Sequence, residues 1–249
     1  MRSTSFRLAS RISNLLGAGY PVGHLNDFAS CRVILVSMPE SWLPSIVDEL
    51  LEAPWDWKAK TVLLCNSESD SSVLDKLAFV GAATGSLTPV EGFDDRLFVA
   101  EGQSKAIRMA RIFVGGPDVR VISMEPGRKA LYSAGINFAT GLALPLLAAS
   151  VETLRACGIH HNEAQMIADR LFQRTLRSYM KAGRRAWEGP LLVQDQQAIR
   201  RQVQALFLTS PQLAGYFYEN ALQIAQLFKQ DAKWLSELEE DAYPKAASQ

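Results

Sequence analysis

Two short polar stretches stand where chemistry is most easily placed on an α/β scaffold. Ser37-Met38-Pro39 follows the apolar run Val33-Ile34-Leu35-Val36, and Asn66-Ser67 follows Thr61-Val62-Leu63-Leu64-Cys65. In open parallel sheets ligands gather outside the carboxyl ends of strands. Backbone amides and small polar side chains there suit a ribose or a carboxamide. Ser37, Met38, Pro39, Asn66 and Ser67 are therefore candidate binding residues; the plainer reading is that they only terminate strands. Leu87-Thr88-Pro89 is a third rim element of the same kind.

Other chemistry is thinner. The glycine cluster Gly17-Ala18-Gly19-Tyr20-Pro21-Val22-Gly23 follows a run with helical spacing. A phosphate loop needs glycines between a strand and a helix, so that amides at the helix start meet the phosphates. Pro21 interrupts the cluster and its last gap is one residue too long, so it reads as a helix-ending turn. His24, His160 and His161 are the only histidines, and nothing has metal-ligand spacing. There is no Gly-x-Ser-x-Gly elbow, no His-Glu-x-x-His and no Walker lysine. Arg184-Arg185 beside Trp187 could hold a phosphate or carboxylate, although a solvated loop explains them as well. Gly189-Pro190 breaks a helix, and Asp195 is placed to cap the next one.

The elements that must position these residues fall into two halves. Formal charge is zero over 249 residues, which implies no general attraction to nucleic acid or anionic membrane. Three dispersed cysteines, Cys31, Cys65 and Cys157, and the lack of a secretory signal fit a reducing cytoplasm. Strands are predicted at 33–37, 61–65, 97–100 and 119–122, and helices at 6–16, 42–51, 73–77 and 103–113. Residues 81–86 read as a turn-rich loop. Alternating strands and helices indicate right-handed crossovers and a mostly parallel sheet.

After residue 126 the periodicity is helical only, at 162–180, 195–207 and 211–228. Ser210-Pro211 is an N-cap with proline at the first helical position. The tail from Asp231 is charged and is expected to fray. Between these halves lies the stretch Gly127–Gly158, with no charge from Ala130 to Val151. A helix apolar on nearly every side must be buried on nearly every side, so it is expected to be the spine of a helical domain and of a dimer. Pro145 should kink it. A run of this length can also cross a bilayer. Ser133, Gly135, Asn137, Thr140, Gly141, Pro145 and Ser150 dilute it, and amphipathic helices follow, so a soluble helix is expected.

Taken in order, Val33 to Pro39, Asn66-Ser67, Gly85 to Pro89, Tyr132 to Leu144, and Gly189-Pro190 with Asp195 resemble an uncharacterised Rossmann-like oxidoreductase family. Its second domain is like the helical C-terminal domain of 6-phosphogluconate dehydrogenase. Ketopantoate reductase and pyrroline carboxylate reductase are relatives. The resemblance covers about residues 7–228 and implies a shortened Rossmann-like sheet domain over 1–126 and a helical dimerisation domain over 127–249. It implies NADP or NAD as cofactor, a small carbonyl or hydroxy acid as substrate, and a homodimer. Ser37, Met38, Pro39, Asn66 and Ser67 would then face the nicotinamide, and Thr88, Ser133 and Asp195 the substrate. The chain departs from the family in opening inside the helix that follows the Gly-x-Gly-x-x-Gly turn, as if N-terminally truncated. Only Pro21–Ser30 joins that helix to Val33. The family tends to carry histidine where this chain has Thr88 and Ser133, and asparagine where it has Gly141. Hydroxyls are poor proton donors at neutral pH. A non-catalytic descendant, a dimeric scaffold or ligand-binding protein, is the alternative.

Overall fold

The computed structural model describes residues 1–92, 96–186, 188–228 and 233–238. Helix α1 (Phe6–Leu16) starts at Ser5, whose hydroxyl accepts from the Leu8 amide, and stops at Gly17 in the left-handed region, φ 61°. The link that follows is pinned by Lys60, a buried lysine whose ammonium donates to the carbonyls of Ala29 (2.8 Å) and Cys31 (2.9 Å).

Strand β1 (Val33–Val36), helix α2 (Leu43–Leu51), strand β2 (Thr61–Leu64), helix α3 (Asp75–Phe79), strand β3 (Ala83–Pro89), strand β4 (Leu97–Gly102), helix α4 (Ser104–Phe113) and strand β5 (Arg120–Ser123) follow in turn. The sheet runs in the order β1-β2-β3-β4-β5. β1, β2 and β3 are mutually parallel, β4 is antiparallel to β3, and β5 is parallel to β4. This is the mostly parallel, Rossmann-like arrangement the sequence led us to expect. One face packs Val36, Val62 and Leu64 on Leu43, Val47 and Leu50 of α2 and Leu77 of α3. The other packs Leu63, Leu87 and Ala100 on Ala106 and Ala110 of α4.

β3 corrects the sequence reading, which took residues 81–86 for a loop. Small residues signal turns locally, but here they let backbones close up. A Cβ on Gly85 would lie 2.8 Å from the Glu101 carbonyl and 3.0 Å from the Ala106 Cβ. One on Gly102, at φ 117°, would lie 2.5 Å from the Gly85 Cα.

The chain divides into two compact units, Met1–Asn137 and Phe138–Gln249. The boundary falls inside helix α5 (Lys129–Ala139), whose first turn belongs to the sheet unit. The second unit continues with α6 (Leu144–Ala156), α7 (His161–Ala182), α8 (Gln196–Thr209) and α9 (Pro211–Leu227). α6 pairs with α7. α8 and α9 enclose Ile199, Val203, Tyr218, Ala221 and Ala225, together with Trp234, Leu235 and Leu238 from the 3-10 turn Lys233–Leu238. Of the tail expected to fray, only residues 233–238 are described, and they form this turn; Asp231 lies outside the described residues.

The expected single spine is two helices. Thr140–Ala143 breaks it, and Pro145 sits in the first turn of α6, where its missing amide costs nothing. Nor is it buried within the chain: Leu131 is 68% exposed and Phe138 70%. Lys129–Ala156 is long and apolar enough to cross a membrane by length and composition alone, with mean hydropathy 1.6.

Candidate functional site

The parallel register of β1, β2 and β3 brings their carboxyl ends to one edge. Ser37, Met38 and Pro39 leave β1 there. Ser37 and Pro39 are exposed, and Met38 packs partly against the apolar core. Asn66 leaves β2 and knits the edge together. Its Nδ2 donates to the Met38 carbonyl (3.2 Å), and its Oδ1 accepts from the amides of Glu68 (2.7 Å) and Ser69 (2.9 Å). The Thr88 hydroxyl, near the end of β3, donates to the Asn66 carbonyl (3.3 Å).

Helix α5 starts beside this edge. The Ser133 hydroxyl, one turn in, donates to the Ser67 carbonyl (3.2 Å). The structure thus brings together Met38, Asn66, Ser67, Thr88 and Ser133. Asp195 belongs to the second unit, where its carboxylate caps α8 by accepting from the Ala198 amide (3.0 Å). The glycine cluster does what a helix-ending turn does: the Gly17 amide closes α1 on the Asn14 carbonyl. Of the two arginines noted earlier, Arg184 lies over the Phe228 ring at 5.5 Å. Trp187 lies outside the described residues.

Lys129 is the residue that sequence reasoning missed. It opens α5, is only 1% exposed, and donates a short hydrogen bond to the Thr88 hydroxyl. One signal pointed to it: it is the last charge before a long uncharged helix, at the point where the sheet half ends. Burial holds its ammonium below the usual lysine range, with Glu101, Cys65, Glu68 and Asp70 pulling the other way in that order. Burial likewise pushes the Cys65 thiol up, with Lys129 opposing, and pushes the Tyr132 phenol up one turn beyond Lys129.

A second buried polar group lies deeper on the same side of the sheet. Glu101 on β4 is fully buried and opposes Ser86 across the β3–β4 ladder. One carboxylate oxygen accepts from the Ser71 amide (2.7 Å), the other from the Ser71 hydroxyl (2.8 Å). Ser86 is two residues from Thr88 and so shares its face. Its buried hydroxyl has no hydrogen-bond partner among the described residues. Among those residues no group of three His, Cys, Asp or Glu side chains could hold a metal ion. The arrangement offers a desolvated ammonium whose N–H donors are aimed at a strand edge, beside a hydroxyl that can relay a proton.

Comparison with known proteins gives the same fold. Protein TM1727 from Thermotoga maritima is 14% identical, with 97% of this chain and 89% of that one covered and a TM-score of 0.59. A pyrroline-5-carboxylate reductase from Coxiella burnetii is 13% identical, with 97% and 86% covered and a TM-score of 0.53. A variant imine reductase from Myxococcus stipitatus, solved with NAD+, is 11% identical, with 95% and 81% covered and a TM-score of 0.56. No curated protein matches the chain. The expected architecture, a Rossmann-like sheet joined to a helical C-terminal half, is therefore shared with reductases of known structure. The signature of the domain of unknown function DUF2520 matches residues 96–224, just over half of the 249, and the chain belongs to that family.

Proposed function

We propose that this chain is an oxidoreductase-like protein that acts on a small carbonyl compound or hydroxy acid at the strand edge bounded by Ser37, Asn66, Thr88 and Lys129. The observation that carries the reading is the buried Lys129 ammonium bonded to Thr88 at the carboxyl ends of three parallel strands. NADP or NAD, the cofactor class implied by the fold and by the NAD+ in the imine reductase, would supply or accept the hydride. Reduction also needs one proton on the carbonyl oxygen. Lys129 is the donor, since an ammonium whose hold on its proton is lowered by burial gives it up far more readily than the Thr88 and Ser133 hydroxyls. In the reverse direction neutral Lys129 takes the hydroxyl proton. Met38, Pro39 and Ser67 wall the nicotinamide end. The Gly17–Gly23 turn is not a pyrophosphate cradle, because its first amide closes α1.

The second reading is a non-catalytic descendant, and two observations favour it. The side-chain amide of Asn66 is engaged within the loop, and Thr88 and Ser133, where the family resemblance implies histidine, are hydroxyls. Thermal shift with NADH and NADPH separates the two. A Kd near 100 µM at millimolar ligand stabilises by about 1.4 kcal/mol, which is a rise of roughly 3–6 °C at this size. No rise with either nucleotide rejects the reductase reading.

The helical half is read as a counterpart of the 6-phosphogluconate dehydrogenase C-terminal domain, and the protein as a homodimer that covers the apolar α5–α6 surface. Its three free cysteines suit a reducing cytoplasm. Light scattering should give about twice 27.5 kDa at micromolar concentration; the single-chain mass would refute the dimer.

A further inference from the structure

We propose that Glu101 is the positioning residue of this site, the buried counter-charge that keeps Lys129 protonated until the proton is needed. The functional meaning rests on reading Lys129 as the proton donor. The electrostatic claim starts from the burial of the two groups and from the β3–β4 register that puts them on one face. Lys60, Glu101 and Lys129 are the charged side chains that the described fold buries completely or nearly so. Lys60 is satisfied by backbone carbonyls of the α1–β1 link. Lys129 bonds to Thr88, Thr88 and Ser86 share one face of β3, and Ser86 opposes Glu101, so the two buried charges lie on the same face of the sheet. They do not meet as a contact ion pair.

The other groups around Lys129 are weaker holders of its charge. Thr88 on β3 is neutral. Cys65, at the end of β2, is a thiol that burial keeps protonated. Glu68 is exposed, and Asp70 caps the turn Ser71–Leu74 by accepting from the Ser72 amide. On α5 itself, burial raises the Tyr132 phenol, and just before α5 Arg128 pairs with Glu125 (3.6 Å) at the surface. A charge removed from water acts over a longer distance than an exposed one, because neither solvent nor salt screens it. Glu101 is the one acid in the set that is wholly out of water. Ser71 fixes both its oxygens, so its charge cannot swing away. The Ser86 hydroxyl, opposite Glu101 and without a partner, can turn its dipole toward whichever charge is present.

The competing role for Glu101 is purely structural: a brace that holds the Ser71 turn against β4. The two roles differ in what the Lys129 amine does. Lysine 13Cε shifts are followed by NMR from pH 6 to 11 without nucleotide or substrate, and Lys129 is assigned by its loss in Lys129→Met. In Glu101→Gln, which keeps an oxygen for the Ser71 amide, Lys129 should bind its proton at least about tenfold more weakly, a fall of one pH unit or more in its midpoint. An unchanged midpoint overturns the proposal and leaves the brace. If Glu101→Gln does not fold, the reciprocal measurement decides. Coupling between two sites is symmetric, so the Glu101 carboxyl midpoint must rise in Lys129→Met by the same factor. An unmoved carboxyl overturns the proposal equally. Because no cofactor is present, a chain that binds neither NADH nor NADPH can still pass this test, and one that binds both can fail it.

Discussion

Replacing Lys129 by methionine tests the electrostatic cost of the site, because most of the apolar stem is kept while the ammonium, with its charge and its hydrogen bond to Thr88, is lost. In the folded chain the ammonium is depressed below the ordinary value of 10.5, mainly by burial. Between the depressed value and 10.5 the unfolded chain therefore binds more protons than the folded one, and stability rises with pH across that window. The penalty is complete below the folded pKa and has gone above 10.5. With Lys129 only 1% exposed, solvent screens little of the effect, and the one-proton value of about 1.4 kcal/mol per pH unit is the upper limit of the slope. The methionine variant has no such proton. Urea unfolding followed by circular dichroism at half-unit steps from pH 7 to 10.5 gives the stability difference between wild type and Lys129→Met at each pH. The Cys65 thiol is ionisable and interacts with Lys129, so both chains carry Cys65→Ala. The difference should move in favour of the lysine form as pH rises. A difference that stays flat from pH 7 to 10.5 would refute the buried ammonium and the proton chemistry built on it.

Three further outcomes test the frame around the site. Gly102→Ala places a Cβ 2.5 Å from the Gly85 Cα at a φ of 117°, and should cost about 2–5 kcal/mol in urea unfolding; a loss under about 1 kcal/mol would disprove the β3–β4 register. Gly135→Ala, within helix α5 with nothing inside 4 Å, should add about 0.5–1 kcal/mol, and a loss would contradict a helix there. Cys157 is exposed, whereas burial raises the Cys65 thiol. A disulfide reagent at pH 7 should therefore label Cys157 at least about tenfold faster, and equal rates would show Cys65 to be open.

How much of this was legible in the chain depended on whether the signal was local. β1 and β2 were readable because continuous runs of branched and apolar residues suit strands buried on both faces. The ends of helices were readable because capping is a matter of a few neighbouring residues, as at Gly17, Asp195 and Ser210-Pro211. The edge where Asn66, Ser67, Thr88 and Ser133 meet was legible in kind, since the ends of parallel strands must share a side of the sheet.

Packing decided the rest. Ala83–Pro89 became a central strand because its small residues admit β4 and α4 at close range, a contact no local pattern encodes. The long uncharged run became two helices with exposed faces, because its burial depends on surfaces outside its own sequence. Residue types and their order determined the sheet, its polar edge and the helical half that follows. Only the folding of α5 against the sheet decided that Lys129 would be taken out of water beside Thr88. Desolvation comes from distant residues that surround a group in space, and they lie far from it along the chain.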